Sequence, residues 1–187
     1  MPLTPKAESV DADGVGDGFV VPLAYKGQVL HGGFTRLLVS APPDQVAAVH
    51  SALVGALTPP LKFLYVRMTD RQKGQLQQPE HMVAVELPQT RVLEVLQRYA
   101  PLIYHDGRNQ IWVRGMCEGQ VVLEEIGTLY VYPDDLLYRD CLDAIGVEER
   151  VHVSMADRDY VKVNFASEAD ELERKLIHEL GLIPWKG

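Results

Sequence analysis

The spacing of apolar and polar residues changes several times along the chain, and each change predicts the border of a structural element. From Gly18 onward, short apolar runs alternate with longer stretches in which apolar residues recur every three or four positions. The short runs predict strands, and the longer stretches predict helices that bury one face. In the first half of the chain, the runs that predict strands are 34–40, 61–68 and 82–87. The second run is apolar enough to lie inside a sheet.

Proline, aspartate and glycine mark the ends of the predicted helices. One helix is predicted over 46–57, and a second runs from Pro88 to Pro101. A third helix follows Pro133–Asp135, where an aspartate caps the first turn, and ends at Gly146 in a left-handed conformation. The last helix begins at Ser167, which with Asp170 three residues on forms an acidic variant of the capping box.

Turn signals divide the rest of the chain into short strands. The predicted strands in the middle of the chain are 102–104, 110–114, 121–125 and 128–132. An Asp106-Gly107 turn separates the first two, and the series predicts an antiparallel meander. Residues 151–155 are expected to pair with 160–165, and the polar stretch 70–81 predicts an exposed loop.

Two parts of the chain resemble each other. Val66–Arg71 matches Val153–Arg158 at four of six positions, and each stretch follows a predicted strand and helix. This similarity suggests two β-α-β units as half-repeats, over 34–71 and 128–158. The predicted fold is α+β, with an antiparallel or mixed sheet and helices mainly on one face.

Charge is distributed unevenly along the chain. Its 187 residues include 18 Lys and Arg against 26 Asp and Glu, which gives a formal net charge of −8. Residues 1–17 carry one basic and four acidic side chains, and residues 133–187 carry seven and thirteen. Because residues 1–17 have few apolar groups, they predict a flexible acidic leader before a single domain over 18–187. An acidic chain is also poorly suited to nucleic acid.

The cysteines and the apolar runs favour a cytoplasmic protein. Cys117 and Cys141 are the only two cysteines and lack the spacing of a zinc or redox motif, so we interpret both as reduced thiols. No apolar stretch of roughly 7–15 residues follows Lys6 as in a secretory signal. No run approaches the roughly 20 apolar residues of a membrane-spanning helix.

Candidate catalytic groups are few. The six histidines include no pair at the i, i+4 spacing that places two rings on one metal ion. One alternative is a metal-assisted hydrolase that uses His105 and Asp106 with Asp157 and Asp159, since a carboxylate can orient an imidazole and paired carboxylates can bind a divalent ion. Both pairs are also explained as turns. We therefore predict no catalytic residue, no cofactor and no metal site.

The remaining pattern favours a non-enzymatic protein that binds a basic protein partner. Acidic surfaces attract basic partners, and a bacterial immunity or inhibitor protein that neutralises a toxic enzyme is one concrete case. The tyrosines at 130, 132, 138 and 160 lie among acidic residues, which suits protein contacts better than single-stranded nucleic acid. The candidate contact residues are Asp134, Asp135, Tyr138, Asp157, Asp159, Glu168 and Glu171. A third possibility is an assembly subunit that self-associates through sheet edges and its acidic helix.

Overall fold

A computed structural model, which describes residues 4–117, 119–163, 166 and 168–185, shows an α+β fold, as the sequence predicts. Its strands are β1 (Ala7–Ser9), β2 (Ala24–Val29), β3 (Thr35–Ser40), β4 (Leu61–Asp70), β5 (Gly74–Leu87), β6 (Asn109–Arg114), β7 (Gln120–Leu123), β8 (Leu129–Tyr132), β9 (Glu148–Glu149), β10 (Tyr160–Lys162) and β11 (Ile183–Pro184). Its helices are α1 (Val46–Gly55), α2 (Gln89–Arg98), α3 (Ala100–His105), α4 (Leu136–Ala144) and α5 (Glu168–Leu180).

One mixed sheet contains nine of these strands, in the order β11-β5-β4-β6-β7-β8-β3-β2-β9. Neighbouring strands are antiparallel except for β2 and β9, which are parallel. The predicted meander is present as β6, β7 and β8. The predicted interior strand is β4, which lies between β5 and β6.

The helices lie mainly on one face of this sheet because of three crossover connections. Counting through the antiparallel pairs, β3 runs parallel to β4, β5 to β6, and β8 to β9. A connection between parallel strands has to cross the sheet, and here the crossings contain α1, then α2 with α3, then α4. Buried residues of all five described helices share one core cluster with one sheet face. The opposite face forms two smaller clusters without helix residues.

Two predictions of local structure were wrong. The predicted strand 102–104 is helical, because Pro101 lies in the first turn of α3 and does not simply end the preceding helix. Much of the predicted loop 70–81 belongs to β5, which pairs with the end of β4 through Thr69 and Gln75. This part of β5 is largely exposed on both faces, so it lacks the alternation that marks a half-buried strand.

The pairing near the C-terminus also differs from the prediction. Strand β10 pairs with β1 instead of with residues 151–155. The strand–helix–strand order does recur, but the two matching stretches occupy different elements. Val66–Arg71 covers the end of β4, whereas Met155–Asp157 forms a short 3₁₀ turn. A duplication of the half-repeats therefore stays a prediction.

The N-terminal segment, defined here as residues 4–10, is packed against the domain and is not a free leader. Lys6 is only 2% exposed, and its Nζ donates hydrogen bonds to the Ile103 carbonyl oxygen at 2.8 Å and to Asn109 Oδ1 at 3.0 Å. The backbone of β1 pairs with β10 over three residues. Backbone pairing and one buried ammonium thus hold a segment that has little apolar surface.

A buried ion pair lies beside this segment. Asp106 accepts hydrogen bonds from Nε and Nη2 of Arg108, at distances of 2.7–3.1 Å, and from its backbone N–H at 2.9 Å. The side chains of Asp106 and Arg108 are 1% and 6% exposed. Arg108 Nη1 also donates to Asp170 in α5 at 2.8 Å. The pair therefore links the start of β6 to the first turn of α5.

We expect Asp106→Asn to reduce the free energy of unfolding by about 3 kcal/mol, at the lower end of the cost of breaking a buried pair, because Arg108 then keeps only the half-exposed Asp170 as a charged partner. Glu171→Gln is the control, since Glu171 and Lys175 are 60% and 61% exposed and exposed pairs contribute little. Urea unfolding monitored by circular dichroism measures both variants. Equal effects of the two substitutions would contradict the structural importance of the buried pair.

Candidate functional site

The start of α4 brings together three of the predicted contact residues. Asp135 caps the helix, and its carboxylate accepts a hydrogen bond from the Leu137 backbone N–H at 2.8 Å. Asp134 lies behind the cap and accepts two hydrogen bonds from Arg139, at 2.6 and 2.8 Å. Arg139 also pairs with Glu149 at 2.5 Å, so its charge is already matched by two carboxylates. Tyr138 is 5% exposed and packs into the core.

A shallow hollow of about 170 Å³ lies beside this helix start. Asp135, Leu137 and Tyr138 line one side, and the β6–β7 turn, including Cys117, lines the other. A Cβ atom at Gly119 would collide with the Tyr138 hydroxyl group, so a glycine allows the ring to approach the turn this closely. The hollow thus combines an apolar wall with a carboxylate at its edge.

Exposed apolar and acidic side chains lie along α4, and two of them, Asp135 and Leu137, line the hollow. We call Asp135, Leu136, Leu137, Asp140 and Asp143 the α4 surface. Leu136 is 74% exposed and Leu137 is 53% exposed, which is unusual for leucines that directly follow a helix cap. Within the described residues, no basic side chain forms an ion pair with these three aspartates. The α4 surface is therefore both acidic and apolar.

The titratable tyrosines and the thiol beside α4 are uncharged at neutral pH. Burial, helped by the charge of Asp135, raises the pKa of the Tyr138 hydroxyl. Burial raises the pKa of Tyr25 to about 12, and its hydrogen bond to Asp143 adds to the shift. Burial likewise raises the pKa of the Cys141 thiol. These three groups are neutral at pH 7, so the carboxylates determine the charge of the surface.

The other predicted contact residues lie in two separate places. Asp157 ends the 3₁₀ turn and accepts hydrogen bonds from the backbone N–H and hydroxyl of Ser154, and these bonds lower its pKa. It also lies 3.5 Å from Lys26 Nζ. The backbone carbonyl oxygen of Asp159 accepts a hydrogen bond from the Val10 N–H at 3.0 Å. Both residues shape the loop that leads into β10.

Glu168 and Glu171 lie in the first turn of α5, on the opposite part of the sheet from α4. Glu171 pairs with Lys175 across one helical turn at 2.7 Å. Acidic residues at a helix N-terminus are favourable because of the helix dipole, which gives them a structural explanation. Ser167, predicted to start the capping box, lies outside the described residues. The seven predicted residues thus divide among three surfaces. Glu171 lines a hollow of about 520 Å³ together with the basic residues Arg174 and Lys175, whereas the hollow beside α4 is lined by Asp135 and Leu137.

The alternative hydrolase site is not assembled by the structure. His105 Nδ1 lies 2.6 Å from the carbonyl oxygen of Thr4, whereas the Asp106 carboxylate is held by Arg108. Among the described residues, no hydrogen bond or ion pair joins His105 or Asp106 to Asp157 or Asp159. The described part of the chain also contains no group of three or more His, Cys, Asp or Glu side chains that could hold a metal ion.

Sequence reasoning missed a basic and aromatic contact on the helix-free face of the sheet. The Arg36 guanidinium lies 3.7 Å from the ring centroid of Tyr130, and its Nη1 donates to the Tyr132 hydroxyl at 2.9 Å. The prediction that these tyrosines lie among acidic groups is therefore incomplete. Arg36 is far away in sequence, and only the pairing of β3 with β8 brings it to the tyrosines. Nearby, burial and the adjacent Glu125 raise the pKa of Glu124 to about 7.

Sequence reasoning also missed the buried titratable groups near the N-terminal segment. Burial lowers the pKa of Lys6 to about 7, against the opposing effect of Asp106 and Glu125 and with a further lowering by Lys162. Burial lowers the pKa of His50 to about 3, and its Nδ1 lies 3.0 Å from the Tyr104 hydroxyl oxygen. Both shifts follow from placing a cation in an apolar interior.

We expect Lys6 to make the stability of the protein increase with pH between 7 and 9. Its pKa in the folded state is about 7 and its usual value is 10.5, so in this window the unfolded chain binds more protons than the folded one. The free energy of unfolding should therefore increase, by up to about 1.4 kcal/mol per pH unit. Urea unfolding of the wild type and of Lys6→Met at pH 7, 8 and 9 measures the slope.

The Lys6→Met variant should lose this pH-dependent contribution, because it keeps the apolar stem and removes the ammonium. Lys73→Met, which changes an exposed lysine, should retain the wild-type slope. A Lys6→Met protein whose stability follows the wild type at all three pH values would show that Lys6 is not the source of the dependence.

Comparison with known proteins gives no information about the function of these surfaces. No protein-family model matches the chain, and no match was found among curated proteins or among solved structures. None of the described helices is long and apolar enough to cross a membrane. On the α4 surface, one predicted contact residue, Asp135, lies beside exposed apolar groups and a hollow.

Proposed function

We propose that this protein is a non-enzymatic binding protein that docks its α4 surface on a basic region of another protein. An inhibitor or immunity-type role, in which it covers a basic functional site of its partner, is the concrete form of this proposal. The free thiols of Cys117 and Cys141 support a cytoplasmic location, where cysteines stay reduced.

The observation that carries the proposal is the exposure of two leucines among unpaired carboxylates at one helix start. Stable interfaces have an apolar centre, which a polar rim surrounds, and their strongest contacts fill pockets. Leu136 and Leu137 supply apolar area, Asp135 and Asp140 supply the rim, and the neighbouring hollow can receive a side chain. The exposed leucines are not needed to stabilise α4, since Asp135 would cap the helix without them.

Electrostatics favours a basic partner for this surface. Arg139 is the basic residue within α4, and Asp134 and Glu149 already neutralise it. Asp134 and Glu149 together exceed Arg139 by one negative charge, whereas Glu148 in β9 is matched by Arg150 at 3.6 Å. Such a field acts over about 8–10 Å at physiological salt, so it accelerates encounter with a positively charged surface.

The hollow indicates which side chain of the partner would bind in it. A lysine or arginine has an apolar stem and a charged end. The stem would lie against Leu137 and Tyr138 while the charged group reaches Asp135 at the edge. Hydrogen bonds between a cation and a carboxylate are stronger than neutral ones, so one such contact would add specificity.

Self-association through sheet edges has less support. The terminal strands β9 and β11 are two residues long, and the outer part of β5 contains Pro79. Short edge strands and proline both discourage edge-to-edge pairing. Surface contacts through α4 are therefore the better-supported mode of association.

We expect Asp135→Asn combined with Asp140→Asn to weaken partner binding about tenfold or more, which corresponds to about 1.4 kcal/mol. Asparagine keeps the helix cap at position 135, so the double variant changes charge with little effect on folding. The partner is identified first, by photo-crosslinking in the native host from a benzoylphenylalanine placed at position 137 and, for comparison, at the exposed Val85. Calorimetry at low and high salt then measures the affinity.

Glu94→Gln, which changes an exposed charge on α2, serves as the control and should leave the affinity unchanged. Affinity should fall as salt increases in the wild type, and this salt dependence should be smaller in the double variant. Crosslinks from position 85 but not from 137, or an affinity that neither salt nor the double substitution changes, would refute the proposal.

A further inference from the structure

A second concave surface lies under the N-terminal segment, away from α4. Its outer part is a groove of about 410 Å³, which the N-terminal segment borders on one side and Pro42 and Pro43 border on the other. An inner recess of about 30 Å³ shares Pro5, Ala7 and Met155 with the groove and extends towards Tyr104. We call the groove and the recess together the N-terminal cleft. Its volume lies in the range of sites that bind small molecules, roughly 300–1,000 Å³.

The floor of the N-terminal cleft is apolar and separate from the main core. Ala7, Ile126 and Met155 form a cluster of their own, against which Phe19 and Val21 pack. Val20 also lines the groove and is 80% exposed. The cluster itself is buried, and Val20 with the half-buried Phe19 and Val21 supplies the accessible apolar surface of the groove. Accessible apolar surface at a concave site is the usual character of a ligand pocket.

The rim of the N-terminal cleft is acidic. Glu8 lines the groove, and Asp11 and Asp13 are exposed in the turn that follows β1. The nearby cations are already engaged. Arg158 pairs with Asp17 and lies over Phe19, and Lys6 Nζ donates to Ile103 and Asn109 in the interior. The uncompensated charge at the mouth of the cleft is therefore negative.

We infer that the N-terminal cleft binds a small amphiphile with an apolar body and a cationic head. The apolar body lies in the groove against Phe19, Val21 and Met155, and the end of an alkyl chain fits the inner recess. The cationic head stays at the mouth, where Glu8 attracts it. This site shares no residue with the α4 surface, so the inference goes beyond the proposed protein-binding function.

The test uses decyltrimethylammonium as the probe and decanoate as its anionic counterpart of similar chain length, both below their micelle-forming concentrations. Isothermal titration calorimetry with the full chain should show one site for the cation and at least tenfold weaker binding of the anion. Methyl-¹³C methionine NMR locates the probe. The Met155 methyl signal should shift, while that of Met116, which is 66% exposed outside the cleft, should not.

Two variants separate the apolar and the electrostatic parts of the site. Gly16 lines the groove, has no positive φ angle, and has open space where a Cβ would lie, so Gly16→Phe should fill the groove and weaken binding at least tenfold. Glu8→Gln should lower the affinity for decyltrimethylammonium severalfold. The difference in affinity between this cation and decanoate should become smaller. Asp140→Asn on α4 is the matched charge control and should leave probe binding unchanged.

Several results would overturn the inference. These are equal binding of cation and anion, a Met116 shift as large as that of Met155, or unchanged binding by Gly16→Phe. If Gly16→Phe does not fold, as judged by its near-ultraviolet circular dichroism, Glu8→Gln and the methionine signals decide the question alone. Loss of partner binding in the α4 variants with intact probe binding would show that the two sites are independent.

Discussion

Arg108 holds together parts of the chain that are distant in sequence. Its guanidinium is almost fully buried and donates to Asp106, just before β6, and to Asp170 in α5. Asp170 also pairs with Arg71 at the end of β4. The next residue, Asn109, accepts the hydrogen bond from Lys6. A buried charge with this many partners fixes geometry, because every alternative arrangement leaves a charge in the interior without compensation.

The N-terminal cleft depends on this arrangement. Lys6 anchors the N-terminal segment in the same region, and Gly107 lets the backbone of that segment approach closely, since a Cβ there would collide with the Lys6 carbonyl oxygen. One wall of the cleft is therefore held mainly by polar contacts, with Ala7 as its residue in the small apolar cluster. The floor is a small apolar cluster apart from the main core. A ligand in the cleft would add the apolar contacts that the wall itself lacks.

Short-range signals predicted the parts of the fold that depend on neighbouring residues. The Asp135 cap and the left-handed Gly146 after α4 were visible in the sequence because both act within one helical turn. Pro101 shows the limit of such signals, since the same residue type that stops one helix also suits the first turn of the next. The pairing of β1 with β10 joins residues about 150 positions apart, and no local pattern encodes it.

The same limit holds for the candidate site, where only features set by neighbouring residues could be predicted from the sequence. The sequence predicted Asp135 as a helix cap because that signal acts within one turn, whereas Tyr138, which was predicted as a contact residue, is buried in the core. The exposure of Leu136 and Leu137 was not predictable, because leucines after a cap usually pack inward. The contact of Arg36 with Tyr130 needed the register of β3 and β8. Sequence thus indicated which region carries charge, and the fold decided which of those charges meet apolar surface.

The distribution of paired charges explains why two surfaces stay acidic in a chain with many arginines. Most arginines form ion pairs inside the fold or along helices, as Arg67 does with Glu173 and Arg91 with Glu179. The excess of acidic residues then remains where no arginine reaches. Exposed carboxylates such as those of Asp44 and Glu86 lie elsewhere, but Glu8 at the N-terminal cleft and Asp135 and Asp140 on α4 lie beside exposed apolar side chains. These two surfaces therefore combine part of the net charge of −8 with apolar area.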